Sequence, residues 1–301
     1  MNVIGVDIGG TGVKGMVISE AGTVLKSFEM KTNIGEGKDG ILVTLTSVID
    51  ELLENTSVQY IGIGTAGRVN SNTGEIVYAT TNLPGWQGTN LKQFIEGRYG
   101  IPCIVENDAN VALVGELSKR EQTYPNAVML TLGTGVGGAN VIDHQLVAGA
   151  HHQGGEWGHV VLVPFGKPCN CGKRGCMEQY LSGSALLREA NSAVKAPYQH
   201  GKDVLHDFQR GHEPVQKVVN DYLEYLAIAC YNLTVSIDPD VVIIGGGVID
   251  SKELWWDAFL EKLANYESPI SILPAQLGNK AGMYGAAKLA MDAAKKRGIV
   301  L

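Results

Sequence analysis

Apolar residues recur along this chain in two rhythms. Short unbroken apolar runs occupy residues 3–8, 60–65, 101–105, 128–132 and 241–244, each closed by glycine or polar turn residues. Runs of that length between turn signals predict buried strands. Residues 15–18 and 23–28 read as two further strands joined at Glu20-Ala21-Gly22. Residues 139–142 and 146–148 read as a hairpin around Asp143-His144-Gln145. The second rhythm is helical: Ile41, Leu42, Leu45, Val48, Ile49, Leu52 and Leu53 line one face of a helix over 40–54. More helices are predicted from a cap at Asn90 to near Gly100, from the 106–110 stretch through Lys119, and over 182–193, 213–237, 252–265 and 281–297. Residues 271–274 read as extended. Strands alternating with helices predict an α/β chain. Both halves open with a strand, a glycine turn and a hairpin, and no solenoid-length repeat or low-complexity tract interrupts them.

Composition narrows the class. The 301 residues suffice for two domains, and 45% hydrophobic with 18% charged residues fits a globular protein. A formal net charge of -7 argues against nucleic acid or an anionic membrane as partner. No apolar run approaches the ~18 residues of a membrane span. The start MNVIGVDIGG enters a strand directly, with no basic leader, and reduced cysteines then predict a cytoplasmic protein. The 39 glycines cluster in a few turns, which predicts close backbone approach to a ligand.

Several strand ends carry candidate chemistry. Asp7-Ile8-Gly9-Gly10-Thr11-Gly12 leaves the first strand. Its glycines expose backbone N–H groups, Thr11 adds a hydroxyl and Lys14 a positive charge, which together suit a phosphate. Asp7 is placed to hold Mg2+ through water. A tight hairpin that needs glycine reads the same way. Thr80-Thr81-Asn82-Leu83-Pro84-Gly85-Trp86 is a polar loop beside one indole. Such loops line sugar sites, polar groups reading hydroxyls while an aromatic covers a ring face; a surface loop with a packed Trp gives the same pattern. Glu106-Asn107-Asp108-Ala109-Asn110 lies where a strand passes into a helix, a place for both a helix cap and a catalytic carboxylate. Gly133-Thr134-Gly135-Val136-Gly137-Gly138 matches G-x-G-x-x-G literally. The dinucleotide fingerprint needs a helix next, whereas a hairpin is predicted here, so the run reads as a second phosphate turn. Gly245-Gly246-Gly247 at a later strand end would let a flat base or ribose lie against backbone.

Cys169, Cys171 and Cys176 form a Cys-x-Cys-x4-Cys array containing Gly172 and Gly175. Three thiolates and one imidazole make a closed tetrahedral zinc set, structural rather than hydrolytic. His159, ten residues before Cys169, completes the set, with His151 and His152 as competitors. A disulfide would leave a third thiol over, and bridging Cys169 to Cys171 would be strained. Cys103 and Cys230 lie in apolar elements as small hydrophobes.

Together these stretches resemble the ROK family of bacterial sugar kinases and related repressors. The matching stretches are Asp7 to Thr11 with Lys14, Glu106 to Asn110, Leu132 to Gly138, Gly155-Glu156-Trp157-Gly158-His159, and the array ending Cys176-Met177-Glu178. The resemblance implies a two-domain actin-like ATPase fold, ribonuclease H-like, with the site in the interdomain cleft. On that basis residues 1–117 plus 284–301 are expected to form a smaller α/β domain, and 118–283 a larger one with the zinc site. It implies that His159 binds zinc and touches sugar. It implies further sugar contacts at Gly67, Arg68, Thr80, Asn107, Asp108, Glu156 and Glu178, with Asn82 in the polar loop beside them. The nucleotide falls to Asp7, Gly9, Gly10, Thr11, Lys14, Gly133, Thr134, Gly135, Gly137, Gly246 and Gly247. The implied reaction is phosphoryl transfer from MgATP to a primary hexose hydroxyl, with Asp108 accepting the proton. Homodimers are expected. A sugar-responsive repressor is the rival from another class, but the first phosphate strand begins at Val3 and leaves no room here for a helix-turn-helix. A non-catalytic sensor or an actin-type assembly ATPase is disfavoured by Asp7, Lys14, Asp108 and the cysteine array. Gly67-Arg68-Val69-Asn70 resembles N-acetylmannosamine kinases and Asn82 to Trp86 resembles glucokinases, so both sugars stand, with β-glucosides and fructose behind them.

Overall fold

The computed structural model describes residues 1–80, 82–267 and 269–298. Thr81 of the polar loop thus lies outside the described residues. The chain divides into two compact units, one of Met1–Thr123, Ala148–Gln153 and Asn279–Leu301, the other of Tyr124–Val147 and Gly154–Gly278.

The first unit runs β1 (Asn2–Ile8), β2 (Gly12–Ser19), β3 (Val24–Lys31), α1 (Gly37–Leu53), β4 (Tyr60–Thr65), β5 (Arg68–Asn70), β6 (Glu75–Tyr78), α2 (Leu91–Tyr99), β7 (Cys103–Asn107) and α3 (Asp108–Ser118). The second runs β8 (Ala127–Leu132), β9 (Val136–Ile142), β10 (Gln145–Leu146), α4 (Glu178–Leu181), α5 (Gly183–Ala193), α6 (Gly201–Gln209), α7 (Glu213–Ile237), β11 (Val241–Gly245), α8 (Trp256–Ala264) and β12 (Ser271–Pro274). The chain then returns to the first unit as α9 (Ala281–Lys296).

Each unit holds a five-stranded sheet of the same design, ordered β3-β2-β1-β4-β7 and β10-β9-β8-β11-β12. In each, the first three strands pair antiparallel and the next two join in parallel. Parallel strands are covered on both faces and read as unbroken apolar runs. That is why β4 and β11 are buried along their full length. Ligand groups belong at the carboxyl ends of such strands. Asp7, Asn107 and the 133–138 and 245–247 glycines all lie there.

Each unit has its own core. In the first, Ile41, Leu45, Val48, Ile49 and Leu52 of α1 pack on Ile4, Val6 and Ile8 of β1 and on Ile61 and Ile63 of β4. On the other face α9 approaches as near as backbone allows. A Cβ at Gly5 would fall 2.2 Å from the Met283 carbonyl oxygen, and one at Gly62 1.9 Å from that of Ala286. Helix α3 meets α9 the same way, with a Cβ at Gly285 reaching 1.6 Å from the Val111 oxygen and one at Gly115 2.2 Å from the Ala281 oxygen. In the second unit α7 buries Val219, Leu223, Leu226, Ala227 and Cys230 against β8 and β11.

Some expectations need correction. The helix predicted over 252–265 is two pieces: a 3-10 run over Gly247–Leu254, broken at Ser251 (φ -119°, ψ 26°), and then α8. The β5–β6 pair and α6 carried too few apolar positions to be read as elements. No described helix is long and apolar enough to cross a membrane.

The α3–α9 contact gives a test of this packing. Gly285→Ala is expected to destabilise the protein by about 2–3 kcal/mol through overpacking. Gly97→Ala, in the exposed interior of α2 with nothing within 4 Å of the new Cβ, is expected to stabilise it by about 0.5–1 kcal/mol. Equal thermal shifts in the two variants would contradict the proposed contact.

Candidate active site

In the first unit, the end of β1 places Asp7 opposite Lys14 of β2. The turn between them is closed by Gly9 N–H donating to Gly12 O at 3.0 Å and by Thr32 Oγ1 donating to Gly9 O at 2.6 Å. Thr11 stands exposed at its tip. Gly9 therefore closes the turn, and Gly10 and Thr11 form the part that can meet a phosphate. The Asp7 carboxyl is pressed by α9: a Cβ at Gly282 would lie 2.6 Å from Asp7 Cγ. Burial, then the negative charge of Asp108, pushes Asp7 from 3.8 up to about 7, with Lys14 opposing. A buried carboxyl that feels the charge of a second one is a donor set that a divalent cation would relieve.

The β7-to-α3 junction carries the Asn107-Asp108 pair. Asn107 caps α3: its Oδ1 accepts from Ala109 N at 2.9 Å and Asn110 N at 3.2 Å. Its Nδ2 donates to Gly67 O at 2.8 Å and to Asp108 Oδ1 at 2.9 Å. Asp108 Oδ1 also accepts from Ala109 N at 2.9 Å. The Asp108 carboxyl is thus oriented at the first position of α3, where the helix dipole favours negative charge. Gly67 precedes β5, and the Arg68 guanidinium lies over the Tyr78 ring at 4.7 Å. Thr80 and Asn82 are exposed, and the Asn82 carbonyl comes 3.6 Å from where a Gly10 Cβ would sit. The loop therefore reaches the first phosphate turn. Its indole does not cover a ring face: Trp86 is fully buried and donates from Nε1 to Thr65 Oγ1 at 2.9 Å.

In the second unit β9, not a helix, follows the 133–138 run, as the hairpin reading required. The turn is closed by Gly133 N–H donating to Gly135 O at 3.0 Å, while Gly133 O accepts from Gly183 N at 2.7 Å. Gly133, Thr134 and Gly247 line one cavity of about 460 Å³, together with Ser184, Leu187, His200, Lys202 and Ser251. Gly246 packs beside it against the Leu132 backbone. Gly135 and Gly137 do not line it. Gly135 instead makes room for Glu178, since a Cβ there would lie 2.4 Å from Glu178 Oε2. The α5 and α6 walls were not anticipated. Gly183-Ser184 after a capping Ser182 was the available signal, whereas His200 and Lys202 had none.

The cysteine array converges. Cys169, Cys171, Cys176 and His159 each offer one ligand atom, all within 4.8 Å of one another. The Cys171 and Cys176 sulfurs are 3.6 Å apart, and Cys169 Sγ is 3.8 Å from His159 Nδ1. Ligand atoms of a tetrahedral zinc with bonds of about 2.0–2.3 Å stand at about that separation. All three cysteines are free thiols, and His159, not His151 or His152, completes the set. Burial, then hydrogen bonding to Cys171 and Cys169, pushes the Cys176 thiol up to about 12, a proton that a soft cation would displace. Gly172 and Gly175 have φ of +83° and +79°, the left-handed turns that let the loop double back. With Nδ1 turned toward the sulfurs, His159 Nε2 lies 3.9 Å from Glu156 Oε2. Glu178, two residues past Cys176, accepts from Val136 N at 3.1 Å through Oε2 and places Oε1 4.0 Å from Cys169 Sγ. Glu156, His159 and Glu178 therefore share one wall with the cysteines.

Comparison with known proteins identifies the family. The ROK family model matches residues 3–293. A glucokinase of Streptomyces coelicolor is 33% identical over 312 residues, covering 96% of this chain and 97% of the relative. The crystal structure of a ROK family glucokinase from Streptomyces griseus, in complex with glucose and AMPPNP, is 32% identical with a TM-score of 0.83, covering 97% of this chain and 100% of that one. A ROK hexokinase from Thermus thermophilus is likewise 32% identical, with a TM-score of 0.87 and coverage of 98% and 100%. These are two-domain actin-like ATPase folds, and with a match of this extent the chain belongs to the ROK family.

Proposed function

We propose that the chain is an ATP-dependent hexose kinase that transfers the γ-phosphoryl group of ATP to the 6-hydroxyl of glucose, with N-acetylmannosamine as the second candidate sugar. The Asn107-Asp108 junction carries this reading. A carboxyl fixed by two donors at a helix start, in a chain similar to glucokinases, is what a weak hydroxyl nucleophile needs. As the sugar oxygen bonds to phosphorus and the bond to ADP breaks, the hydroxyl proton passes to Asp108. Asn107, Gly67, Arg68, Glu156, His159 and Glu178 are assigned to the sugar. Gly10, Thr11 and Lys14 are assigned to the phosphates, and the cavity at Gly133, Thr134 and Gly247 to the nucleoside. Asp7 would hold Mg2+ through water, and that ion, when bound, neutralises phosphate charge. His159, Cys169, Cys171 and Cys176 would hold a structural zinc that stiffens the sugar wall. A homodimer in the cytoplasm is the setting proposed for this chemistry, since a ring of reduced cysteines needs a reducing compartment.

Glucose-dependent release of ADP tests the activity, and a sugar panel ranks the substrates. Asp108→Asn is expected to cut kcat below a few percent of wild type while glucose affinity by calorimetry stays within about threefold. A variant retaining more turnover would remove Asp108 from the base role.

Zinc content by mass spectrometry is expected at one ion per chain. Stripping it, or Cys171→Ser, is expected to loosen residues 154–180 in hydrogen exchange and to weaken glucose binding by about tenfold. Unaltered affinity in metal-free protein would refute the bracing role.

Asp7 predicts a pH effect of unusual sign. Its folded value lies above its unfolded one, so its contribution to stability falls as pH rises from about 4 through 7. Asn cannot ionise, so Asp7→Asn is expected to melt about 2 °C or more above wild type at pH 8 and level with it near pH 4. Added Mg2+ should narrow the gap. A constant difference across that range would exclude the effect.

A further inference from the structure

Glu106 immediately precedes the proposed sugar and base residues, and the residue is only 6% exposed. Burying a carboxyl is costly unless hydrogen bonds replace water. Three donors do so, and they lie on two sides. Oε1 accepts from Asn107 N at 2.8 Å and from Asn110 Nδ2 at 2.9 Å, both in the junction that orients Asp108. Oε2 accepts from Ser71 Oγ at 2.6 Å. Ser71 lies in the turn between β5 and β6, 35 residues earlier in the chain. That turn is rigid in itself: Asn70 Oδ1 accepts from Asn72 N at 3.1 Å, and Asn70 O accepts from Gly74 N at 2.7 Å.

The β5–β6 hairpin is thus strapped to the junction twice. At its start, Gly67 O accepts from Asn107 Nδ2; at its tip, Ser71 donates to Glu106. The straps come from consecutive residues at the end of β7. Between them lies Arg68, whose guanidinium is held over Tyr78. A shift of the Glu106 carboxyl would displace Asp108 through Oε1 and the hairpin through Oε2.

We propose that Glu106 is a positioning residue for the transfer reaction, fixing the sugar-reading hairpin through Ser71 and the proton acceptor Asp108 through Asn107 and Asn110. The role rests on the kinase reading above. Its two arms have different kinetic signatures. Loss of the Ser71 strap moves the hairpin and leaves the junction intact, so it weakens sugar binding. Loss of the whole carboxyl misplaces Asp108, so it slows turnover.

The test compares Ser71→Ala, Glu106→Gln and Glu106→Ala in full-length protein, with steady-state kinetics, glucose calorimetry and thermal melting on each. Ser71→Ala is expected to raise both glucose Kd and KM about fivefold with kcat within about twofold. Glu106→Gln keeps an acceptor for Asn107 N and Asn110 Nδ2 and turns its amide N–H toward Ser71 Oγ, so kcat within about threefold of wild type is expected. Glu106→Ala is expected to lower kcat about 100-fold, because misplacement of a reacting group costs about that much. A merely structural carboxyl would lower melting temperature and leave Kd, KM and kcat of the folded fraction at wild-type values, and that result overturns the proposal. If Glu106→Ala does not fold, Ser71→Ala decides alone: unchanged glucose Kd and KM refute the strap. Wild-type protein that binds glucose without phosphorylating it would sink the kinase reading instead, and the Kd comparison would still judge the strap.

Discussion

The side-chain amide of Asn107 holds four partners in place. It caps α3 through Ala109 N and Asn110 N and ties down Gly67 O and Asp108 Oδ1. A helix that begins at a strand end leaves its first N–H groups without intrahelical partners. Meeting that need with a side chain from the strand fixes the strand-to-helix angle and, with it, the direction of the next residue's carboxyl. Asp108 owes its orientation to this local constraint, and Glu106 behind it extends the same logic to the β5–β6 hairpin. Helix capping and the roles proposed for Asn107 and Asp108 thus draw on one short stretch of backbone.

The second unit solves a different problem. Residues 154–177 contain a single 3-10 turn and isolated bridges, Val161 with Cys176 and Pro168 with Arg174, too little regular structure to hold carboxyls rigidly. Close backbone contact takes over, beside the convergent set of His159, Cys169, Cys171 and Cys176. A Cβ at Gly158 would fall 2.1 Å from the Val136 oxygen, so the Glu156-to-His159 turn lies directly on β9. Trp157 Nε1 donates to Asn140 Oδ1 at 2.8 Å from the same side. Glu178 then bonds the start of β9, linking the cysteine cluster to the second glycine turn.

Much of this was legible in the sequence, for definite physical reasons. Parallel strands buried on both faces leave unbroken apolar runs. An amphipathic helix such as α1 leaves a 3.6-residue period. Three cysteines around Gly172 and Gly175 leave a spacing that only a convergent loop explains. What could not be read depends on distant partners. The fate of Trp86 rested on Thr65, 21 residues away, and the Ser71–Glu106 bond on a separation of 35. The pressure on Asp7 comes from Gly282, on the far side of the sequence. Helix α6, which walls the cavity, buries only Val204 and Leu205, too little apolar surface to leave a period. Of the three candidate histidines, the one named from the sequence, His159, converges with the cysteines.

Helix α9 has a consequence for biosynthesis. The first unit lacks a face until α9, the last of the described helices, packs on β1, β4 and α3. Residues 124–147 and 154–278 emerge from the ribosome before it and contain a complete sheet and core of their own. Domains generally close as units during synthesis, the earlier-emerging part first. Here the strands of the first unit must wait, their apolar back exposed, until residues 281–296 have been made. For the nascent chain, residues 2–118 are made before the second unit yet reach shelter after it, and a ribosome stalled before residue 281 would release them as prey for chaperones and proteases.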